Sequence, residues 1–259
     1  MQRLSNPGPA ATNGADPSPA AGQDRPTLLC LPYAGGAARA FAGLEAALQD
    51  TVRTALLELP GHGTRMAEPL RDDFGSVLED LIRRSAPHTT GRYVLLGHSM
   101  GAAFAFEAGR RWSALGRPPA GVVLVGRNGP TARRVLPDLH TLPPTAFLEA
   151  VRRLGGTPPQ LFEHPELVKL FTPLLRADFT LSETYTPLPG PPLDCPLWVC
   201  AGVDDPMVDD AGLRDWENHG ATDVAVEWLP GGHFLLDDPA FHAYVAGVLR
   251  SLPGPAARI

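Results

Sequence analysis

The chain is 259 residues long, 44% hydrophobic and 19% charged, with a formal net charge of −6 at pH 7. That length can bury a sizeable core in one domain with room for an insertion, and the acidic balance argues against a nucleic-acid partner. No apolar run approaches the ~18 residues of a membrane span, so no membrane association is expected.

Residues 1–25 are rich in Ala, Pro, Gly and Ser and lack an apolar stretch. They read as a disordered leader, not a signal peptide, and a cytoplasmic location follows by default. Residues 26–259 are expected to form a single domain. An apolar run at 27–32 reads as a strand entering the loop Pro32-Tyr33-Ala34-Gly35-Gly36. Residues 41–48 show helical spacing, and 52–59 read as a second strand closed by Pro60-Gly61-His62-Gly63. Phe74, Val77, Leu78, Leu81 and Ile82 mark one face of a helix over 74–85. Tyr93-Val94-Leu95-Leu96 is the next strand, followed by a small-residue helix at 102–112 and another apolar strand at 121–126. Strands at 196–201 and 224–229 are each followed by a helical segment, at 211–218 and 239–252.

Strands that alternate with helices, several of them apolar throughout, imply the α/β class: a mostly parallel central sheet with helices on both faces. Residues 130–192 break the rhythm. They hold apolar helical patches at 147–154 and 167–175, separated by Pro and Gly, and no strand. The interval is too long for a simple connection and reads as a helical lid insertion over the carboxyl edge of the sheet.

The three cysteines, Cys30, Cys195 and Cys200, sit in or beside apolar strand-like runs. An odd count without C-x-x-C spacing points to buried free thiols and not to disulfides or a zinc site. No pair among the eight histidines has metal-ligand spacing. Lys169 is the only lysine. Arg127, Arg133, Arg134, Arg152 and Arg153 cluster at and within the start of the insertion, either as solvated surface charges or as a surface for an anionic partner.

The chemistry centres on Gly97-His98-Ser99-Met100-Gly101, which lies between a strand and a helix. In that context G-x-S-x-G means a nucleophile elbow, a sharp turn that holds serine in a strained backbone. A Cβ at either flanking glycine would clash with the neighbouring strand and helix. A serine hydroxyl needs a base, and the base needs an orienting acid. In α/β-hydrolases these follow in the order Ser, Asp or Glu, His. The strand at 196–201 leads to Gly202-Val203-Asp204-Asp205-Pro206-Met207-Val208, and the strand at 224–229 to Pro230-Gly231-Gly232-His233-Phe234. Both fall just past carboxyl ends of strands, where parallel sheets present their active sites. His233 is the candidate base. Asp204 and Asp205 are adjacent and point in different directions, so only one can face it. The G-x-x-D spacing from Gly202 and Val208 three residues on favour Asp205. The oxyanion donors are the backbone N–H of Met100, the residue after the nucleophile, and that of Ala34 in the loop after the first strand. His62 reads as a loop residue shaping the pocket wall, and His98 as a group that packs or hydrogen-bonds locally.

These motifs, together with Leu59-Pro60-Gly61-His62-Gly63-Thr64-Arg65 and, in the insertion, Leu154-Gly155-Gly156-Thr157-Pro158, Leu175-Arg176-Ala177-Asp178-Phe179 and Glu183-Thr184-Tyr185, resemble the type II thioesterases of polyketide synthase and nonribosomal peptide synthetase systems. The resemblance runs from about Leu28 to Leu252. It implies an α/β-hydrolase that cleaves acyl groups from the 4′-phosphopantetheine arm of acyl or peptidyl carrier proteins and edits stalled or misprimed chains, with no metal or organic cofactor. Carried over by motif, Ser99 is nucleophile, His233 base and Asp205 acid. The chain departs from the family at His62, where Arg is frequent, and at Pro143-Pro144, where an Asp often follows the proline. A product-releasing thioesterase, a general esterase and a non-catalytic carrier-binding scaffold are the alternatives.

Overall fold

The computed structural model describes residues 25–220 and 223–252. Apart from Arg25, the leader expected over residues 1–25 lies outside the described residues. Strands β1 (Thr27–Leu31), β2 (Arg53–Leu56), β3 (Tyr93–His98), β4 (Gly121–Val125), β5 (Leu197–Gly202) and β6 (Val224–Leu229) form one sheet in the order β2-β1-β3-β4-β5-β6. Every pairing is parallel. Strand β2 is shorter than its apolar pattern suggests. It sits at the edge and pairs with β1 over four residues before the chain turns out of the sheet.

Successive side chains of a strand point to opposite faces, and β1 shows how each face is covered. Leu29 and Leu31 pack with Val77, Leu78 and Leu81 of α2 (Phe74–Ser85) and Phe104 of α3 (Met100–Ala114). Leu28 and Cys30 face the other way, against Leu44 of α1 (Ala42–Leu48) and Phe241 and Val245 of α8 (Pro239–Ser251). A strand buried on both faces must be apolar at every position, which is why β1, β3 and β4 lack alternation. Helix α2 starts where Asp73 accepts a hydrogen bond from the Ser76 N–H at 2.7 Å.

The interval 130–192 carries three helices, α4 (Pro144–Leu154), α5 (Pro159–Glu163) and α6 (Pro165–Glu183), and no strand among the described residues. Pro144 opens α4 at its first position, where its missing N–H costs nothing. Phe147 and Val151 of α4 pack on Leu174, Leu175 and Phe179 of α6, giving the insertion its own apolar core. Helix α6 runs eight residues beyond the patch at 167–175 and continues through Pro173. Proline removes one helical hydrogen bond there. Burial of Leu174, Leu175, Asp178, Phe179 and Leu181 holds the helix together regardless. After β5, α7 (Asp210–Arg214) passes into a short 3-10 turn, Asp215–Asn218, where a single helix over 211–218 is expected. Among the described residues, no helix is long and apolar enough to cross a membrane.

Candidate active site

The strand order reverses between β1 and β3. The chain leaves β1 toward β2 on one side, and β3, β4, β5 and β6 follow on the other. Loops at the carboxyl ends of such a pair diverge and open a crevice, the usual ligand position in this kind of sheet. The loop after β1 carries Ala34 and the loop after β3 carries Ser99.

Ser99 has φ 55° and ψ −112°, and no other described non-glycine residue has a positive φ. Its neighbours explain how that strain is held. A Cβ on Gly97 would sit 2.1 Å from the Gly101 carbonyl oxygen, and one on Gly101 would sit 2.2 Å from that of Leu31. Both obstacles are backbone, so neither can rotate away. The Ser99 N–H donates to the Val125 carbonyl at 2.7 Å, which pins the turn to β4. Gly101→Ala should therefore lower unfolding free energy by about 3 kcal/mol, the upper range of overpacking losses. Chemical denaturation checks this, and an unchanged midpoint would contradict the packing argument.

His233 Nδ1 lies 2.7 Å from Asp205 Oδ2, and both side chains are buried. A carboxylate accepts, so Nδ1 carries the proton and Nε2 is left as the basic nitrogen. The second Asp205 oxygen accepts the Met207 N–H at 2.8 Å. Asp204 is exposed, and its backbone N–H binds the Gly231 carbonyl. The strand-end geometry thus turns Asp205 inward and Asp204 out. Ser99, His233 and Ala34 line one cavity of about 420 Å³. Among the described residues no hydrogen bond joins the Ser99 hydroxyl to His233. Met100 is the first residue of α3, so its N–H has no intrahelical acceptor.

The rest of the cavity wall is mostly apolar and comes largely from the insertion: Val151 and Leu154 of α4, Leu161 of α5, and Phe171, Leu175 and Phe179 of α6. A second, more polar cavity of about 190 Å³ is also lined by Ser99, together with Arg127, Asn128 and Ser182. A site with one mainly apolar chamber and one polar chamber meeting at a serine can hold an apolar group and a hydrogen-bonding group on the two sides of a reacting carbonyl.

His98 is fully buried, and its Nε2 donates to the His233 carbonyl oxygen at 2.8 Å. Burial, and then the neighbouring His233, holds its pKa well below the ordinary 6.5. The ring is neutral and fixes the backbone of His233. Its sequence position, inside the elbow, signals the location but not this partner. His62 does not line either cavity. It lies behind the wall, where Nε2 meets Asp178 Oδ2 at 2.8 Å. Of the arginines at the start of the insertion, Arg127 and Arg134 both line the polar cavity. Arg127 donates to the hydroxyl and carbonyl of Ser182, Arg134 pairs with Asp138 and Glu183, and Arg152 lies over the Phe162 ring. Glu183 also accepts the backbone N–H groups of Leu139 and His140, tying the start of the insertion to the end of α6. All three cysteines are free and buried, and burial pushes the Cys195 thiol up to about 12. They are unsuited to nucleophilic work.

The family model described as "Thioesterase domain" matches residues 26–245. The chain is 34% identical over 215 residues to the thioesterase PikA5 of Streptomyces venezuelae, covering 82% of this chain and 75% of that protein. Among solved structures it is similar to the RedJ thioesterase of the prodiginine pathway in Streptomyces coelicolor, at 32% identity and a TM-score of 0.78 over 96% of this chain and 97% of that one. It is likewise similar to BorB, a type II thioesterase from the borrelidin biosynthetic cluster, at 30% identity and a TM-score of 0.77 over 88% and 92% of the two chains.

Proposed function

The chain belongs to the thioesterase family, and we propose that it is an editing enzyme. In this reading it hydrolyses stalled or misprimed acyl groups from the 4′-phosphopantetheine arm of acyl or peptidyl carrier proteins in polyketide or nonribosomal peptide synthesis. The observation that carries the reading is the junction at Ser99 of a mainly apolar chamber with a polar one. The first suits an acyl chain, and the second suits the amides of a pantetheine arm. The wall of the 420 Å³ chamber is mostly apolar, with aliphatic and aromatic side chains predominating over polar ones such as Arg39, Arg134 and Glu183, which suits varied short acyl groups better than one elaborate product. The three buried free thiols fit a reducing compartment and support a cytoplasmic location.

The reaction runs in two steps. The Ser99 oxygen attacks the thioester carbonyl as its proton passes to His233 Nε2, and the imidazolium is held by Asp205. The tetrahedral oxyanion accepts hydrogen bonds from the Met100 and Ala34 N–H groups. The carbon–sulfur bond breaks, and the thiol leaves with the proton from His233. Water then attacks the acyl-serine ester, again giving its proton to His233, and the carboxylic acid departs as Ser99 recovers its proton. Every step uses side chains and backbone of this chain.

A panel of acyl groups, each loaded on a carrier protein, on free pantetheine and as an oxygen ester, tests the proposal. Turnover of several unrelated short acyl groups, faster on the carrier than on pantetheine and slowest for oxygen esters, is expected. Selectivity for one elaborate chain would make it a product-releasing enzyme instead. Equal turnover of oxygen esters would make it a general esterase. No turnover, with no labelling of Ser99 by a fluorophosphonate, would leave only a carrier-binding scaffold.

A further inference from the structure

Asp178 lies in the middle of α6, is 1% exposed, and directs both of its hydrogen bonds to one oxygen. Asp178 Oδ2 accepts the Gly35 N–H at 2.6 Å and meets His62 Nε2 at 2.8 Å, while Oδ1 is buried with no partner among the described residues. The other nitrogen of the ring, His62 Nδ1, is 3.0 Å from the Pro60 carbonyl oxygen. Both acceptors need an N–H, so the ring is protonated on both nitrogens. Burial opposes that charge, but the hydrogen bond and charge of Asp178, helped by the Pro60 carbonyl and Glu58, outweigh it and raise the His62 pKa. A buried carboxylate is costly unless paired. Here it is compensated by one cation and one backbone amide.

That amide is next to the proposed oxyanion donor. The Gly36 N–H donates to the Tyr33 carbonyl at 2.8 Å, which fixes the Tyr33–Ala34 peptide and turns the Ala34 N–H away from that carbonyl. Asp178 fixes the following peptide through Gly35. The packing is equally close. Gly35 has φ 80°, and a Cβ there would lie 2.5 Å from Leu175 Cδ2, one turn before Asp178 on the same helix. A helix of the insertion thus rests directly on the loop that carries Ala34.

We propose that Asp178 is a positioning residue for the oxyanion loop: from α6 it clasps Gly35 and His62 at one oxygen and so makes the aim of the Ala34 N–H depend on the seating of the insertion. This rests on the reading of Ala34 as an oxyanion donor. It adds to that reading the idea that the insertion is part of the catalytic geometry as well as the wall of the acyl chamber. A merely structural Asp178 would affect folding stability, or KM through the cavity wall, without selectively affecting kcat.

The test compares wild type, Asp178→Ala, Asp178→Asn and Ser99→Ala as full chains, with an acyl-pantetheine thioester and a fluorophosphonate as probes. Asp178→Ala should lower kcat about 10- to 100-fold, the scale of a misaimed donor, and leave KM within about twofold. Phosphonylation of Ser99, which needs the same oxyanion donors, should slow by the same factor. Asp178→Asn keeps an oxygen for the Gly35 N–H, the donor that sets the loop, while His62 without the carboxylate's charge gives up one ring proton, and the variant should stay within about threefold of wild-type kcat. Hydrogen exchange in wild type should show a protected Gly35 amide, a readout that stands even where Asp178→Ala does not fold. Wild-type kcat in Asp178→Ala, a change in KM alone, Asp178→Asn as impaired as Asp178→Ala, or an unprotected Gly35 amide in wild type would each overturn the inference. Full turnover by Ser99→Ala would overturn the underlying reading instead. An inactive Ser99→Ala beside a fully active Asp178→Ala would reject the clasp alone.

Discussion

The Ser99→Ala variant should hydrolyse acyl thioesters at least about 10⁴-fold more slowly than wild type, a loss of roughly 5 kcal/mol of transition-state stabilisation. It should also unfold at the wild-type denaturant concentration. The two halves of this expectation have separate origins. The catalytic loss follows from removing the only group on which the acyl chain can rest between the two steps. The preserved stability follows from what the hydroxyl does not do. It makes no capping hydrogen bond to α3, and the turn is held by the Ser99 N–H to Val125 and by the close approach of Gly97 and Gly101. Alanine at φ 55° is no more strained than serine. Steady-state hydrolysis and a denaturation curve on the same preparation check both. Activity within tenfold of wild type would remove Ser99 from the mechanism.

Asp205→Asn should cost about 10³- to 10⁴-fold in kcat with little change in fold. The reason lies in the two hydrogen bonds of the carboxylate. Oδ1 accepts the Met207 N–H and Oδ2 accepts the His233 Nδ1–H. An asparagine in that position keeps its oxygen on Met207, because the backbone donor cannot move. Its NH₂ then faces His233 Nδ1 and donates to it. The ring proton is forced onto Nε2, the nitrogen that must accept from serine. Asp204→Asn is the control: its side chain is exposed, and its loss should change kcat by less than about twofold. Kinetics on the two variants, one position apart, decide between the neighbouring carboxylates. Equal losses would mean that the loop can present either one.

How much of the site could be read from the chain depended on sequence distance. The elbow was legible because its strand, turn and helix lie within about twenty residues and its glycines have a local steric purpose. The choice of Asp205 over Asp204 was legible only as spacing. What turns one carboxylate inward is the strand-end loop, where the Asp205 N–H returns to the Gly202 carbonyl and the Asp204 N–H reaches Gly231. His62 pairs with Asp178, 116 positions later, and no local pattern announces such a partner. A proline at 173 hid the true length of α6, because propensity penalises it more than the buried face of that helix does. Arg127, Arg134 and Arg152 show the same limit. Arg127 and Arg134 converge on the end of α6 at Ser182 and Glu183 and both line the polar cavity, whereas Arg152 lies over the Phe162 ring, and no local pattern separates the two cases.

The most direct measurement is to mix the enzyme with a carrier protein bearing an acyl thioester, quench within the first turnovers, and map the added mass by peptide mass spectrometry. The acyl group should be found on the peptide containing Ser99, at Ser99 itself, and should be absent from Ser99→Ala. Hydrolysis that proceeds with no acyl-enzyme at Ser99, or an adduct elsewhere on the chain, would contradict the account.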